Sequence, residues 1–96
     1  MARYIVTSRA EADINEIIAY IAVDNFDAAM VWYDRMLELF RMISENPNAG
    51  RLRLELQDEV RCFPAGDYLI FYRKWAEEIA ITRILHSARD LDTLFR

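Results

Sequence analysis

His86, Arg83, Arg89 and Asp90 lie close together near the end of the chain, in the run ITRILHSARD from Ile81 to Asp90. An imidazole titrates near neutrality and can give or take a proton. A guanidinium holds carboxylates and phosphates through a planar fork of donors. Ser87 would complete a Ser-His-Asp set on paper, but neighbours on a strand point to opposite faces, so no relay between His86 and Ser87 is expected. Cys62 is the only thiol, and a lone Cys inside an apolar strand packs like a small hydrophobe. One His and one Cys, far apart in sequence, give no metal-ligand spacing. Two glycines cannot build a Gly-rich phosphate loop. Neither a metal nor a cofactor is expected.

The elements that must position these residues are legible from periodicity and breakers. Arg3 to Thr7 predicts a first strand. Ser8-Arg9-Ala10-Glu11 has the form of a capping box. A helix to about Val23 should follow, with Ala10, Ile14, Ile17, Ile18 and Ile21 on one face. Asp24-Asn25 breaks it, and a second helix is expected from near Phe26 to about Glu45, stopped by Asn46-Pro47. Leu52, Leu54 and Leu56 alternate with Arg53 and Glu55, which suits an extended edge segment. Val60 to Phe63 reads as a strand, Pro64-Ala65-Gly66 as a hairpin turn, and Tyr68 to Arg73 as the next strand. Trp75 to Glu78 turns the chain into a last strand, Ile79 to His86. Asp90 to Phe95 is left for a short helix or tail. The fold class expected is α+β, in the order β-α-α-β-β-β. The two-helix hairpin packs on one face of a mainly antiparallel sheet.

Composition bounds the partners. Ninety-six residues with 54% hydrophobic side chains predict one domain over residues 1–96. The longest apolar runs are too short to cross a membrane, and Met1-Ala2-Arg3 leads into the first strand without a signal-like segment. An unpaired Cys fits a reducing, cytoplasmic setting. Residues 1–50 hold 4 Arg against 8 acids, and residues 51–96 hold 7 Arg and 1 Lys against 8 acids. The helical half is acidic and the sheet half neutral, so the basic face of a nucleic-acid binder is not expected.

Two features predict a protein partner instead. On the second helix Ala29, Trp32, Met36, Leu39, Phe40 and Ile43 form an apolar stripe, and Met30, Tyr33 and Leu37 widen it to roughly 200° against the 100° a surface helix needs. In the strand from Tyr68, Tyr68, Ile70 and Tyr72 point one way while Leu69 and Phe71 point the other. Both faces are apolar, yet two helices cover only one. Met30, Trp32, Tyr33, Leu37, Tyr68, Ile70 and Tyr72 are therefore candidates for a partner-binding surface. The polar strip of the second helix, Asp27, Asp34, Glu38, Arg41 and Glu45, would suit a partner segment carrying basic residues.

Arg61 opening a strand, the run Tyr68-x-Ile70-x-Tyr72-Arg73 and the ending Ile81-x-Arg83-Ile84-Leu85-His86-x-x-Arg89-Asp90 follow a helical first half. In this order and length the chain resembles the RelE/ParE toxin superfamily, and more closely its ParE branch. The resemblance implies the toxin of a type II toxin–antitoxin pair, cytoplasmic, non-enzymatic, inhibiting DNA gyrase and neutralised by a tightly bound ParD-like antitoxin. It implies no membrane and no sequence-specific nucleic-acid binding by this chain. Arg61, Arg83, His86, Arg89, Leu91, Leu94 and Phe95 are the candidate target-binding residues. The alternative is a RelE-like, ribosome-dependent endoribonuclease. There, Arg61, Arg83, His86 and Arg89 would steady the phosphate and move protons to and from the ribose and the leaving oxygen. The plainer expectation is that Arg83 and Arg89 pair with Asp67, Asp90 or Asp92 and that His86 caps a strand end.

Overall fold

The computed structural model describes residues 3–57, 59–89 and 91. The elements are β1 (Tyr4–Val6), α1 (Ser8–Asp24), α2 (Phe26–Glu45), β2 (Arg51–Leu52), β3 (Arg61–Ala65), β4 (Tyr68–Trp75) and β5 (Glu78–His86). They form one five-stranded sheet in the order β1-β5-β4-β3-β2. β1 runs parallel to β5, and every other pair is antiparallel. The expected α+β order holds, with the two-residue edge strand β2 added to it.

Asn25 serves both helices. Its amide bonds Ile21 O at the end of α1, and its side-chain oxygen accepts from Ala28 N at the start of α2. The start of α1 corrects the sequence reading by one residue. Thr7, not Ser8, is the N-cap, accepting from Ala10 N at 3.2 Å. The capping box therefore does not form: Ser8 is already helical, and Glu11 bonds Thr7 O through its backbone amide.

Two more corrections concern turns. The hairpin between β3 and β4 turns on Gly66-Asp67 alone, with Pro64 and Ala65 still in the ladder. Gly66 takes a φ of +62°, the value a tight hairpin asks of its first central residue. In a two-residue hairpin Ala65 and Tyr68 form the hydrogen-bonded pair, so the missing amide of Pro64 faces the edge beyond β2. Of the expected extended segment 51–59, the described residues are strand only at Arg51–Leu52, and residues 54–57 turn. The turn swings Leu56 inward under the sheet and leaves Leu54 exposed.

The sheet separates two apolar clusters. Between helices and sheet lie Ile14, Met36, Phe40, Ile43, Ile70, Tyr72, Ile79, Ile81 and Ile84. On the opposite face Leu56, Val60, Cys62, Phe71 and Leu85 pack together, with Leu69 and Leu91 against them. The second face of β4 is thus covered by the chain's own Leu56, Val60 and Leu91. Between Phe71 and Tyr72 the β4–β5 register shifts so that Thr82 is an extra residue in β5. Thr82 Oγ1 donates to Phe71 O, and Thr82 O accepts from Thr7 Oγ1.

Candidate functional site

β1 pairs with β5 only as far as Ile81, because Val6 is its last residue. Beyond that point no strand among the described residues flanks the edge of β5, and α1 takes the place. Asp13 Oδ2 accepts the Ile84 amide at 3.0 Å, as a neighbouring strand would. The same carboxylate receives Arg83 Nε at 2.8 Å and Nη2 at 3.1 Å. Asp13 is 6% exposed and the one buried charged residue among the described residues. Three donors compensate its burial.

Above this pair opens a groove of about 980 Å³. α1 forms one wall with Arg9, Asp13, Glu16 and Tyr20. Trp32 and the Gly66–Asp67 turn form the other. Arg83, His86 and Arg89 close it. Three rings run across it edge to face. Trp32 meets Tyr68 at 5.5 Å between centroids, and Tyr68 meets His86 at 5.3 Å. Burial pushes the Tyr68 hydroxyl above its ordinary value, with Tyr20 and Asp67 adding to the rise. Trp32 Nε1 is buried with no hydrogen-bond partner among the described residues. A second groove, about 800 Å³, follows the outer side of α2 past Val31, Trp32 and Met42 to Phe63 and Pro64. The two grooves share Trp32, Ala65 and Gly66.

The end of β5 is fixed by short local bonds. Ser87 N donates to Asp67 O, Arg89 N to His86 O, and Ala88 N to His86 Nδ1 at 3.1 Å. His86 Nδ1 therefore holds a backbone amide, and no carboxylate orients the ring among the described residues. Arg83 is bound to Asp13 and not to Asp67, because α1 flanks that edge; Asp90 and Asp92, the other expected partners, lie outside the described residues. Arg89 makes no ion pair among the described residues. No group of three or more His, Cys, Asp or Glu could hold a metal among them. Among the described residues no helix is long and apolar enough to cross a membrane.

The sequence candidates divide. Arg83, His86 and Arg89 of the target set meet Trp32 and Tyr68 of the partner set in one groove. Arg61 lies elsewhere, donating from Nη1 to Gly50 O at 2.8 Å. Leu91 packs on the opposite sheet face, and Leu94 and Phe95 lie outside the described residues. Ile70 and Tyr72 do not offer a surface: they are buried under the helices, because that is the face of β4 the helical hairpin covers. Met30, Tyr33 and Leu37 are half-buried, with Tyr33 and Leu37 packed onto the core. Sequence reasoning missed Asp13 and Tyr20, and named Asp67 only as an ion-pair partner, not as part of the groove. Asp13 carried a signal, since it sits three residues after Ala10 and four before Ile17 on the apolar side of α1.

Comparison with known proteins adds the following. A family model described as the ParE toxin of the type II toxin-antitoxin system parDE matches residues 4–91. Toxin ParE3 of Caulobacter vibrioides is 27% identical over 92 residues, covering 95% of this chain and 92% of that protein. A solved structure titled as the chromosomal ParDE TA system from P. aeruginosa superposes with a TM-score of 0.75 at 23% identity. The match covers 90% of this chain and 96% of that one, and it supports the fold.

Proposed function

The chain belongs to the ParE toxin family of type II toxin–antitoxin systems, and from that premise we propose that it inhibits DNA gyrase without catalysis of its own and is neutralised by a ParD-like antitoxin seated in the ring-lined groove. The observation that carries the reading is the groove itself. It combines three aromatic rings in edge contact with charged rims, which is the chemistry of a protein-binding cleft. An amphipathic antitoxin segment would lay apolar side chains over Trp32 and Tyr68. Strand addition at β3 is disfavoured, since Pro64 lacks an amide and β2 already pairs with Arg61 and Cys62. A helix is the better fit along α2.

The groups present favour recognition over proton transfer. Arg83 is neutralised by Asp13 rather than free for a phosphate. His86 has a backbone amide on Nδ1 in place of an orienting carboxylate. A single loss at a recognition surface commonly lowers binding by about 1 kcal/mol or less. Removal of a catalytic acid or base lowers rate by roughly a hundredfold or more.

The test expresses the chain with and without its antitoxin and follows DNA breaks by purified gyrase and primer extension on translated messages. Gyrase-dependent breaks that persist in His86→Ala and vanish on antitoxin addition are the expected result. Cleaved messages without DNA breaks, abolished by His86→Ala, would replace this reading with the endoribonuclease one.

A further inference from the structure

Between Arg9 and Arg35 the chain carries six acids and no Lys or Arg. This stretch is most of α1, the Asn25 junction and the first part of α2. Asp13 is spent on Arg83. Further along α2, Arg35 meets Glu38 at 3.6 Å and Arg41 meets Glu45 at 3.5 Å, which neutralises that half of the acidic strip. At the tip of the helical hairpin the balance differs: Asp24 and Asp27 make no ion pair among the described residues. The same tip exposes large apolar side chains in close succession. Tyr20 is 76% exposed, Val23 84% and Phe26 63%. Tyr20 also borders the groove, whereas Val23 and Phe26 lie outside it, on the last turn of α1 and the first residue of α2, either side of Asn25, so chain connectivity alone keeps these two together.

We propose that this tip is a docking surface, separate from the groove, for a lysine- or arginine-rich segment of a partner protein that also presents apolar side chains. Contiguous exposed apolar residues mark interaction sites, and the charge selects the occupant. Carboxylates without nearby cations repel phosphates, so nucleic acid and anionic membrane are disfavoured. Val23 and Phe26 would supply the desolvated contact, and Asp24 and Asp27 the steering and register. Asn25 caps both helices and holds the tip rigid, which limits the ordering cost of binding.

The test uses the isotope-labelled full-length chain and a synthetic amphipathic helix bearing lysine on one face and leucine on the other. Chemical-shift changes should centre on residues 23–27 and weaken at high salt. Val23→Ser with Phe26→Ser, and separately Asp24→Asn with Asp27→Asn, should each weaken binding by about tenfold. Both pairs are solvent-facing, and circular dichroism verifies that the variants fold. The glutamate version of the helix, duplex DNA and anionic vesicles should bind weakly or not at all. Equal binding of the glutamate helix, preference for DNA or vesicles, shifts confined to the groove around Trp32, or no binding would each overturn the proposal.

Discussion

The carboxylate of Asp13 grips Arg83, seventy positions away, at 2.8 and 3.1 Å and takes the Ile84 amide as well. One side chain of α1 thus finishes the edge of β5 where β1 has run out. Asp13→Ala would strand a guanidinium that is 14% exposed and leave an amide without an acceptor. Loss of one partner of a buried pair costs about 3–5 kcal/mol. Urea melts of Asp13→Ala should fall in that range. The double change Asp13→Leu with Arg83→Met should be milder, since it leaves no buried charge behind.

Tyr72 and Gly50 make a second link that stability should report. The Tyr72 hydroxyl donates to Pro47 O and accepts from Gly50 N, tying the loop after α2 to β4. A Cβ on Gly50 would stand 2.6 Å from that oxygen, so Gly50→Ala must displace the ring or the loop. Tyr72→Phe leaves both backbone groups unpaired and should cost about 1–3 kcal/mol.

Alkaline pH should reveal the same tyrosine. Burial raises the Tyr72 hydroxyl above its ordinary 10.0, with the Gly50 amide and Arg61 pulling partly the other way. Burial likewise raises Tyr68, and raises the Cys62 thiol above 9.0. The folded chain holds these protons more tightly than the unfolded chain. Their contribution is therefore complete below the unfolded values and is lost as pH rises through the raised ones. Thermal melts should show stability falling above about pH 9–10, and falling less steeply in Tyr72→Phe.

Ala76, at the β4–β5 turn, holds a φ of 55°. A side chain in the left-handed region is strained, and glycine relieves it. Ala76→Gly should raise stability by about 1 kcal/mol, read as a higher urea midpoint at unchanged slope. Trp75 beside it is exposed, so the substitution disturbs no core contact.

Trp32 lies at the junction of both grooves, and its indole nitrogen has no partner among the described residues. Trp32→Phe removes that buried donor and should stay within about 1 kcal/mol of the parent. Trp32→Ala should cost about 3 kcal/mol by opening a cavity against Tyr68. Both should weaken antitoxin binding in a titration, Trp32→Ala the more. Unchanged binding by both would place the antitoxin elsewhere.

By itself the sequence determined the element order, both helices to within a residue or two, the apolar stripe of α2 and the two-sided character of β4. These follow from local periodicity and from breakers such as Asn25 and Asn46-Pro47, which act over a few residues. The tertiary structure decided which face of β4 meets the helices, and with it the burial of Ile70 and Tyr72 rather than Leu69. It decided that Leu56 and Leu91 close the other face. It decided that Asp13 claims Arg83, and that Arg61 goes to Gly50 instead of the groove. The physical reason is one of range. Turns and caps are chosen by neighbours in the chain. The partner of a buried charge, by contrast, depends on where a strand ends and which helix lies across that edge, here fixed by the three-residue length of β1 and the Thr82 bulge.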